Sequence, residues 1–522
     1  MTSPTVDPVY ERRWWTLGVL CVSLIVIGVD NTILNVALPS IVRDLHAQGS
    51  QLQWMIDAYT IVFAGLLLTA GSLGDRLGRK GALTTGLVLF AIFSAAASRA
   101  TSPGMLIVAR GLMGIGGAFI FPTTLSILTN TFHGQERARA IGIWAGVSGL
   151  GIVVGPLGGG LLLEHFAWGS VFLVNVPICI AAVVLGYYFV PTSRDPEEGR
   201  LDPVGAALSI VALSGLLYGI IEGPDAGWGS ARVLTGIAAG IAFLALFLYW
   251  ETHTTYPMLD VRFFRNPRFS AASATITLTY FALFGSTFLL TQYFQFVLGY
   301  SPLKAGLMTA PVAVGIMASA PQAPKLVERF GTKRVVVGGL LVVATALSMY
   351  ASDTIMSSVV LGGFVRLLFG LGMGFTAAPA TESIMGSLPP GKAGVGSAVN
   401  DTTRQTGGAL GVAVIGSIFA LRYHASVTRV PGVPGTVQAQ IRDSIGKALV
   451  AAQRLPAQEQ RLVRAVADHA YILSMRLAFA VGATVILAAA VVSWRWLPAR
   501  AQDEPTIPDE EPLAEALAIV EV

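Results

Sequence analysis

Along the chain, long apolar runs alternate with short polar connections, and most runs reach the about 20 residues that a helix needs to cross a hydrocarbon core of roughly 30 Å. Reading on that length predicts fourteen spans, near 14–38, 53–73, 82–100, 104–128, 138–163, 168–190, 203–222, 231–250, 268–297, 303–324, 334–352, 356–381, 395–421 and 470–497. An even number returns both termini to one side. The long connection at about 422–469 contains VQAQIRDSIGKALVAAQRL and QRLVRAVADHAYILSM, whose helical periodicity predicts one or two amphipathic helices at the outer face. The first run, from about Trp14 to Pro39, is too long for a signal-peptide core and reads as a retained span.

Composition sharpens this picture. Hydrophobic residues make up 53% and charged residues 12% of 522, and mean hydropathy is +0.66, the balance of an all-α polytopic membrane protein. Lys and Arg set its orientation. Arg12, Arg13, Arg76, Arg79, Lys80, Arg137, Arg139 and most later basic residues fall in loops on one side, against only Arg43, Arg99, Arg232 and Lys304 in the opposite short loops. By the positive-inside rule both termini are cytoplasmic, and the preference for Arg over Lys with richness in Ala, Gly and Val points to a GC-rich bacterial genome and so to the cell inner (cytoplasmic) membrane. The pI near 9.1 does not point to nucleic acid, because the basic residues lie in short patches between spans. Cys21 and Cys179 both sit inside apolar runs, which excludes a disulfide framework and a zinc site; no metal or cofactor is expected. The tail, 501–522, is acidic and proline-bearing and predicts disorder.

Two segments recur. GSLGDRLGRK (Gly71 to Lys80) returns as PKLVERFGTK (Pro324 to Lys333), and ARGLMGIGGAF (Ala109 to Phe119) returns as VRLLFGLGMGF (Val365 to Phe375), at nearly equal offsets. The repeat predicts an N-terminal six-helix bundle at 14–190 and a C-terminal six-helix bundle at 268–497, with two inserted helices at 203–250. Paired repeats facing a midplane site are the architecture of alternating access.

Charges inside spans are expensive, by about 2.5–3.5 kcal/mol each on insertion scales, and mark ion or substrate paths. GVDNTILNVALP (Gly28 to Pro39) holds Asp30 deep in the first span, with Asn31 and Asn35 four apart beside it. Desolvation favours the neutral form of a carboxyl, which suits a proton carrier; the alternative is a permanent pair with Arg110 of the fourth span. Asp57 near the outer end of the second span is a second candidate acid or an ordinary interfacial residue. Asp401 and Arg404, three apart, are expected to pair with each other, and Glu382 to be solvated at the cytoplasmic boundary.

Together with WAGVSGLGIVVGPLGGG (Trp144 to Gly160) and VDNTILNVALP, the two repeated motifs give the chain a resemblance to the major facilitator superfamily, and within it to the fourteen-span drug:proton antiporters of EmrB/QacA type. The resemblance implies a proton-coupled antiporter exporting lipophilic, cationic drugs or biocides. It assigns proton coupling to Asp30, Arg110 and Asp57, and a conformational latch to Gly71, Asp75, Arg76, Gly78 and Arg79, with Asp75 meeting an arginine or a helix N-terminus of the other half. Gly146, Gly151, Gly155, Pro156 and Gly159 form the antiporter motif, which implies close helix approach, a proline bend and an outer seal. Asn31, Asn35, Gln292, Tyr293, Gln295 and Phe296 are the substrate-binding candidates, the aromatics suiting flat cations. The implied partners are a small-molecule lipophilic substrate, protons and membrane lipids, with the protein a monomer. ATP is excluded: GSLPPGKA (Gly386 to Ala393) approaches a phosphate-binding loop, but Ala393 lacks the hydroxyl and no strand precedes it. Export of a lipid, siderophore or endogenous antibiotic is the alternative, and a membrane-embedded enzyme a more distant one.

Overall fold

The computed structural model describes residues 12–45, 49–194, 202–351 and 358–499; the predicted disordered tail lies outside them. Among the described residues the regular structure is helical throughout, with no strand. Thirteen helices are long and apolar enough to cross a membrane. Their outward faces are apolar, as at Val108, Ile180, Tyr188 and Val491, which fits a lipid solvent.

The remaining crossing, the fifth span, differs from the continuous helix expected. It comprises Gly134–Ser148 and Gly151–His165, joined by tight turns in which Gly149 N donates to Gly146 O (3.2 Å) and Leu150 N to Val147 O (2.9 Å). The interruption falls at Gly149–Leu150; the side chain of Pro156, where a bend was expected, lies outside the described ones. The neighbours that the span's glycines face shift along it. Before the break the glycines face the tenth span: a Cβ on Gly142 would lie 2.5 Å from Ala320 O, and one on Gly146 3.4 Å from Met317 Cα. After it Gly151 abuts Gly28, Gly155 abuts Thr32, and a Cβ on Gly159 would lie 2.7 Å from Ile33 Cγ1, all on the first span, while one on Gly160 would lie 3.2 Å from Leu303 of the tenth.

The outer connection is also shorter than expected. The thirteenth span extends to Ser426, and the final helix, Ala457–Trp496, absorbs the second amphipathic segment as a continuation of the last span. Between them stand two short helices, Gly435–Asp443 and Ile445–Ala452.

Buried apolar side chains gather into two clusters, one drawn mostly from the first six spans and one mostly from the last six. The sequence repeat is visible in the backbone. A Cβ on Gly116 would lie 2.8 Å from Gly86 O, and one on Gly372, at the matching place, 2.7 Å from Gly339 O; Gly114 abuts Tyr59 as Gly370 abuts Val312. Gly78 and Gly331 both take positive φ, 111° and 82°, at the corresponding turns, a conformation that costs glycine little. The inserted helices, Pro203–Ala226 and Ala231–His253, pack on each other, and the first of them packs on the second and thirteenth spans.

Candidate functional site

Asp30 is fully buried between the first, fourth and sixth spans. Its Oδ2 accepts from Arg110 Nη1 at 2.5 Å, forming an ion pair. Its Oδ1 accepts from Asn175 Nδ2 at 3.1 Å, and the same amide reaches Ser94 Oγ at 3.1 Å. Arg110, 1% exposed, also donates from Nε to Met55 O at 3.0 Å and lies 4.4 Å from the centre of the Tyr59 ring. A buried pair is tolerated when further hydrogen bonds satisfy both ions, and this one has them. Asn175 and Ser94 are functional candidates that spacing along the chain gave no means of finding: they come from other helices and bear no charge.

The neighbours of Asp30 in sequence do not share its setting. Asn31 is exposed, roughly 100° around the helix from the acid, and the side chain of Asn35 lies outside the described ones. Thr32 instead ties the first span to the fifth, donating to Gly151 O at 2.6 Å. Asp57 is half-buried on the second span.

At the other end of the second span, Asp75 is 2% exposed. Its carboxylate accepts from Arg79 Nε (2.8 Å), Ser126 Oγ (3.3 Å), Gly394 N (2.7 Å) and Val395 N (3.2 Å). Gly394 and Val395 open the thirteenth span, Ala393–Ser426, so the acid sits on the positive end of a helix from the last six spans. Arg79, 1% exposed, donates across the same junction to Gly391 O at 3.1 Å. Gly71 makes the approach possible, since a Cβ there would lie 2.6 Å from Gly394 O. Arg76 reaches Pro257 O at 3.5 Å, in the segment that follows the inserted helices. One residue beyond reach of local spacing joins this set: Glu382 was expected to be solvated, yet it accepts from Arg137 Nε (2.9 Å) and Nη2 (2.6 Å), tying the fifth span to the twelfth.

The outer candidates separate. Tyr293 is buried against Tyr471, ring centres 6.3 Å apart, and Gln292 is half-buried. Gln295 and Phe296, on the π-helical turn Tyr293–Val297, line a cavity of about 210 Å³ with Gln453, Gln460 and Arg464 of the outer connection and last helix.

Asp401 and Arg404 do not form the ion pair expected of them. Asp401 Oδ1 accepts from Asn400 Nδ2 at 3.2 Å while Oδ2 has no partner. Arg404 turns the other way, donating to Thr381 Oγ1 at 3.3 Å and lying over the rings of Trp144 (4.8 Å) and Tyr280 (4.9 Å). Spacing of three allows the pair; the rings facing that side of the helix take the guanidinium instead.

Repeated helical halves, a buried charge pair in one and a carboxylate bridging to the other define a membrane carrier of the alternating-access class. The chain belongs to the Major Facilitator Superfamily, whose family model matches residues 20–412. It is 36% identical over 493 residues to the multidrug efflux pump LfrA of Mycolicibacterium smegmatis, covering 94% of this chain and 97% of that one. It is 33% identical to a tetracenomycin C resistance and export protein of Streptomyces glaucescens (97% and 95% covered) and 34% identical to the methyl viologen resistance protein SmvA of Salmonella typhimurium (92% and 98% covered). Among solved structures, the human organic anion transporter MFSD10 superposes with a TM-score of 0.59 at 13% identity (94% and 100% covered), a likeness of fold alone. The chain is a multi-pass membrane transporter and not an enzyme.

Proposed function

We propose that this transporter is a proton-coupled antiporter that exports lipophilic, cationic drugs or biocides across the cytoplasmic membrane, with both termini cytoplasmic and a single chain as the working unit. The bundles are assigned to 14–190 and 268–497, with 203–250 as inserted helices. The observation that carries the reading is Asp30 paired with Arg110 in complete burial: a proton on the acid cancels the pair, and loss of the proton restores it. Proton uptake from outside neutralises Asp30, leaves Arg110 held by Met55 O and the Tyr59 ring alone, and lets the bundles rock; release inside re-forms the pair. Asp75 at the start of the thirteenth span supports the other requirement, a contact across the bundles that holds one access state. A membrane potential of 100 mV supplies about 2.3 kcal/mol per charge moved, roughly a fifty-fold gradient, so nucleotide hydrolysis is not needed. The relatives named for efflux of multiple drugs and for methyl viologen resistance support the substrate class. The Streptomyces glaucescens relative, named for tetracenomycin C, favours a second reading in which the cargo is an endogenous antibiotic.

The test is uptake of ethidium into proteoliposomes holding the purified chain, driven by an imposed pH gradient. Dissipating the gradient should stop uptake and adding ATP should not start it; uptake indifferent to the gradient would sink the antiport reading.

A further inference from the structure

Arg404 and Asp401 are nearly sealed from solvent, at 4% and 1% exposure, and stand three apart on one helix, a spacing at which opposite charges meet readily. Both would gain by pairing, because Arg404 Nε and Asp401 Oδ2 are buried without partners. What keeps them apart is aromatic. The guanidinium carbon lies 4.8 Å from the centre of the Trp144 ring and 4.9 Å from that of Tyr280. Trp144 belongs to the fifth span and is held there, its Nε1 donating to Thr124 Oγ1 at 3.1 Å and its ring against Phe121. Tyr280 belongs to the ninth span and is half-buried. The two rings therefore come from opposite bundles, and the clamp they make is complete only while the bundles meet.

We propose that Trp144 and Tyr280 form a binding clamp for a planar aromatic cation, which Arg404 fills as an internal stand-in and vacates by turning back to Asp401. This rests on the export reading above and adds the place and shape of the cargo. A guanidinium is flat, delocalised and weakly hydrated, so rings that hold it suit a phenanthridinium or bipyridinium better than a compact ammonium. The exchange adds the cargo's one positive charge to the site and gives Arg404 a carboxylate to pair with. Before it, one cation lies on the rings and one carboxylate oxygen is unpartnered; after it, the cargo's positive charge lies on the rings and Arg404 neutralises Asp401. Arg404 is displaced onto Asp401 and not left unpaired, which offsets part of the penalty for the exchange, while the rings alone face the cargo's charge.

The experiment measures the Kd of ethidium for the purified full chain by fluorescence anisotropy, with dodecyltrimethylammonium, a cation without rings, as the second probe. Tyr280→Leu should weaken ethidium about tenfold, the order of a desolvated cation–π contact, while Tyr280→Phe keeps wild-type affinity and dodecyltrimethylammonium is indifferent to both. Arg404→Gln, which empties the clamp, should tighten ethidium by several-fold. Because Trp144 is wholly buried, Trp144→Phe is the variant of choice there; it keeps a ring and should retain most of the affinity. If wild type binds and transports ethidium but Tyr280→Leu and Arg404→Gln both leave its Kd within about twofold, the clamp is wrong and the export reading stands. If wild type binds neither cation, the export reading falls and the clamp falls with it.

Discussion

In the first six spans Arg110 is neutralised by Asp30; at the matching place in the last six, Arg366 is buried with its Nε unpartnered and its guanidinium 5.0 Å from the Phe294 ring. The glycine contacts show why. Gly151 abuts Gly28 as Gly407 abuts Thr277, and counting on by two puts Thr279 where Asp30 stands. Its hydroxyl donates back to Thr275 O at 2.6 Å and faces no cation. The matching turns diverge in the same sense: Asp75 is buried on the other bundle's helix, whereas its counterpart Glu328 is exposed. The repeat has kept one backbone and divided its buried charges, with Arg110 paired to Asp30 on the N-terminal side and Arg366 set against the Phe294 ring on the C-terminal side.

Asp30→Asn attacks this division hardest. Leaving Arg110 buried without its partner costs about 3–5 kcal/mol, so the variant should lose thermal stability and all gradient-driven ethidium uptake, whereas Thr279→Val should pump normally; gradient-driven uptake at the wild-type rate in Asp30→Asn would erase the contrast. Next comes Asp75→Asn. Charged hydrogen bonds contribute about 1.5–3 kcal/mol each, and weakening the set should open the cytoplasmic side, read as faster labelling of a cysteine placed at Ser126. A smaller effect is expected at the Arg137–Glu382 bridge, whose side chains keep 30% and 21% of their surface exposed and are partly screened by solvent. There Glu382→Gln should slow transport modestly, and the exchange Arg137→Glu with Glu382→Arg should recover the rate; no recovery would mean the bridge has no part in closure. Smallest of all is Glu328→Gln, for which transport and melting temperature should match wild type, and any loss comparable to Asp75→Asn would restore symmetry to the two turns.

Much of the fold was legible because a bilayer imposes length and apolarity directly on each span, and because a repeat leaves the same glycines at matching places. Asp30, Arg110 and Asp75 were legible for a related reason: a charge in an apolar run is costly, so its presence alone is informative. Partners were a different matter. Asn175 and Ser94 are neutral, and only packing of the third and sixth spans around the first brings them to Asp30. Spacing of three suggested Asp401 with Arg404, but spacing describes one helix surface, and Trp144 arrives from another helix. Glu382 was assigned to water on its depth alone, since nothing local signals that Arg137 crosses to meet it. A bend in the fifth span was expected at Pro156 because proline removes a donor; the interruption of the helix at Gly149–Leu150 had no such local signal.

The glycine junctions between the third and fourth spans and between the eleventh and twelfth bring main chain against main chain, with no side chain between them to rotate or compress. Each such joint behaves as a weld, and a welded pair of helices transmits displacement without absorbing it. Any stroke of this machine must therefore be taken up along the seam between the bundles, where the close approaches of Gly71 to Gly394 and Gly142 to Ala320 must part together with the hydrogen bonds of Asp75.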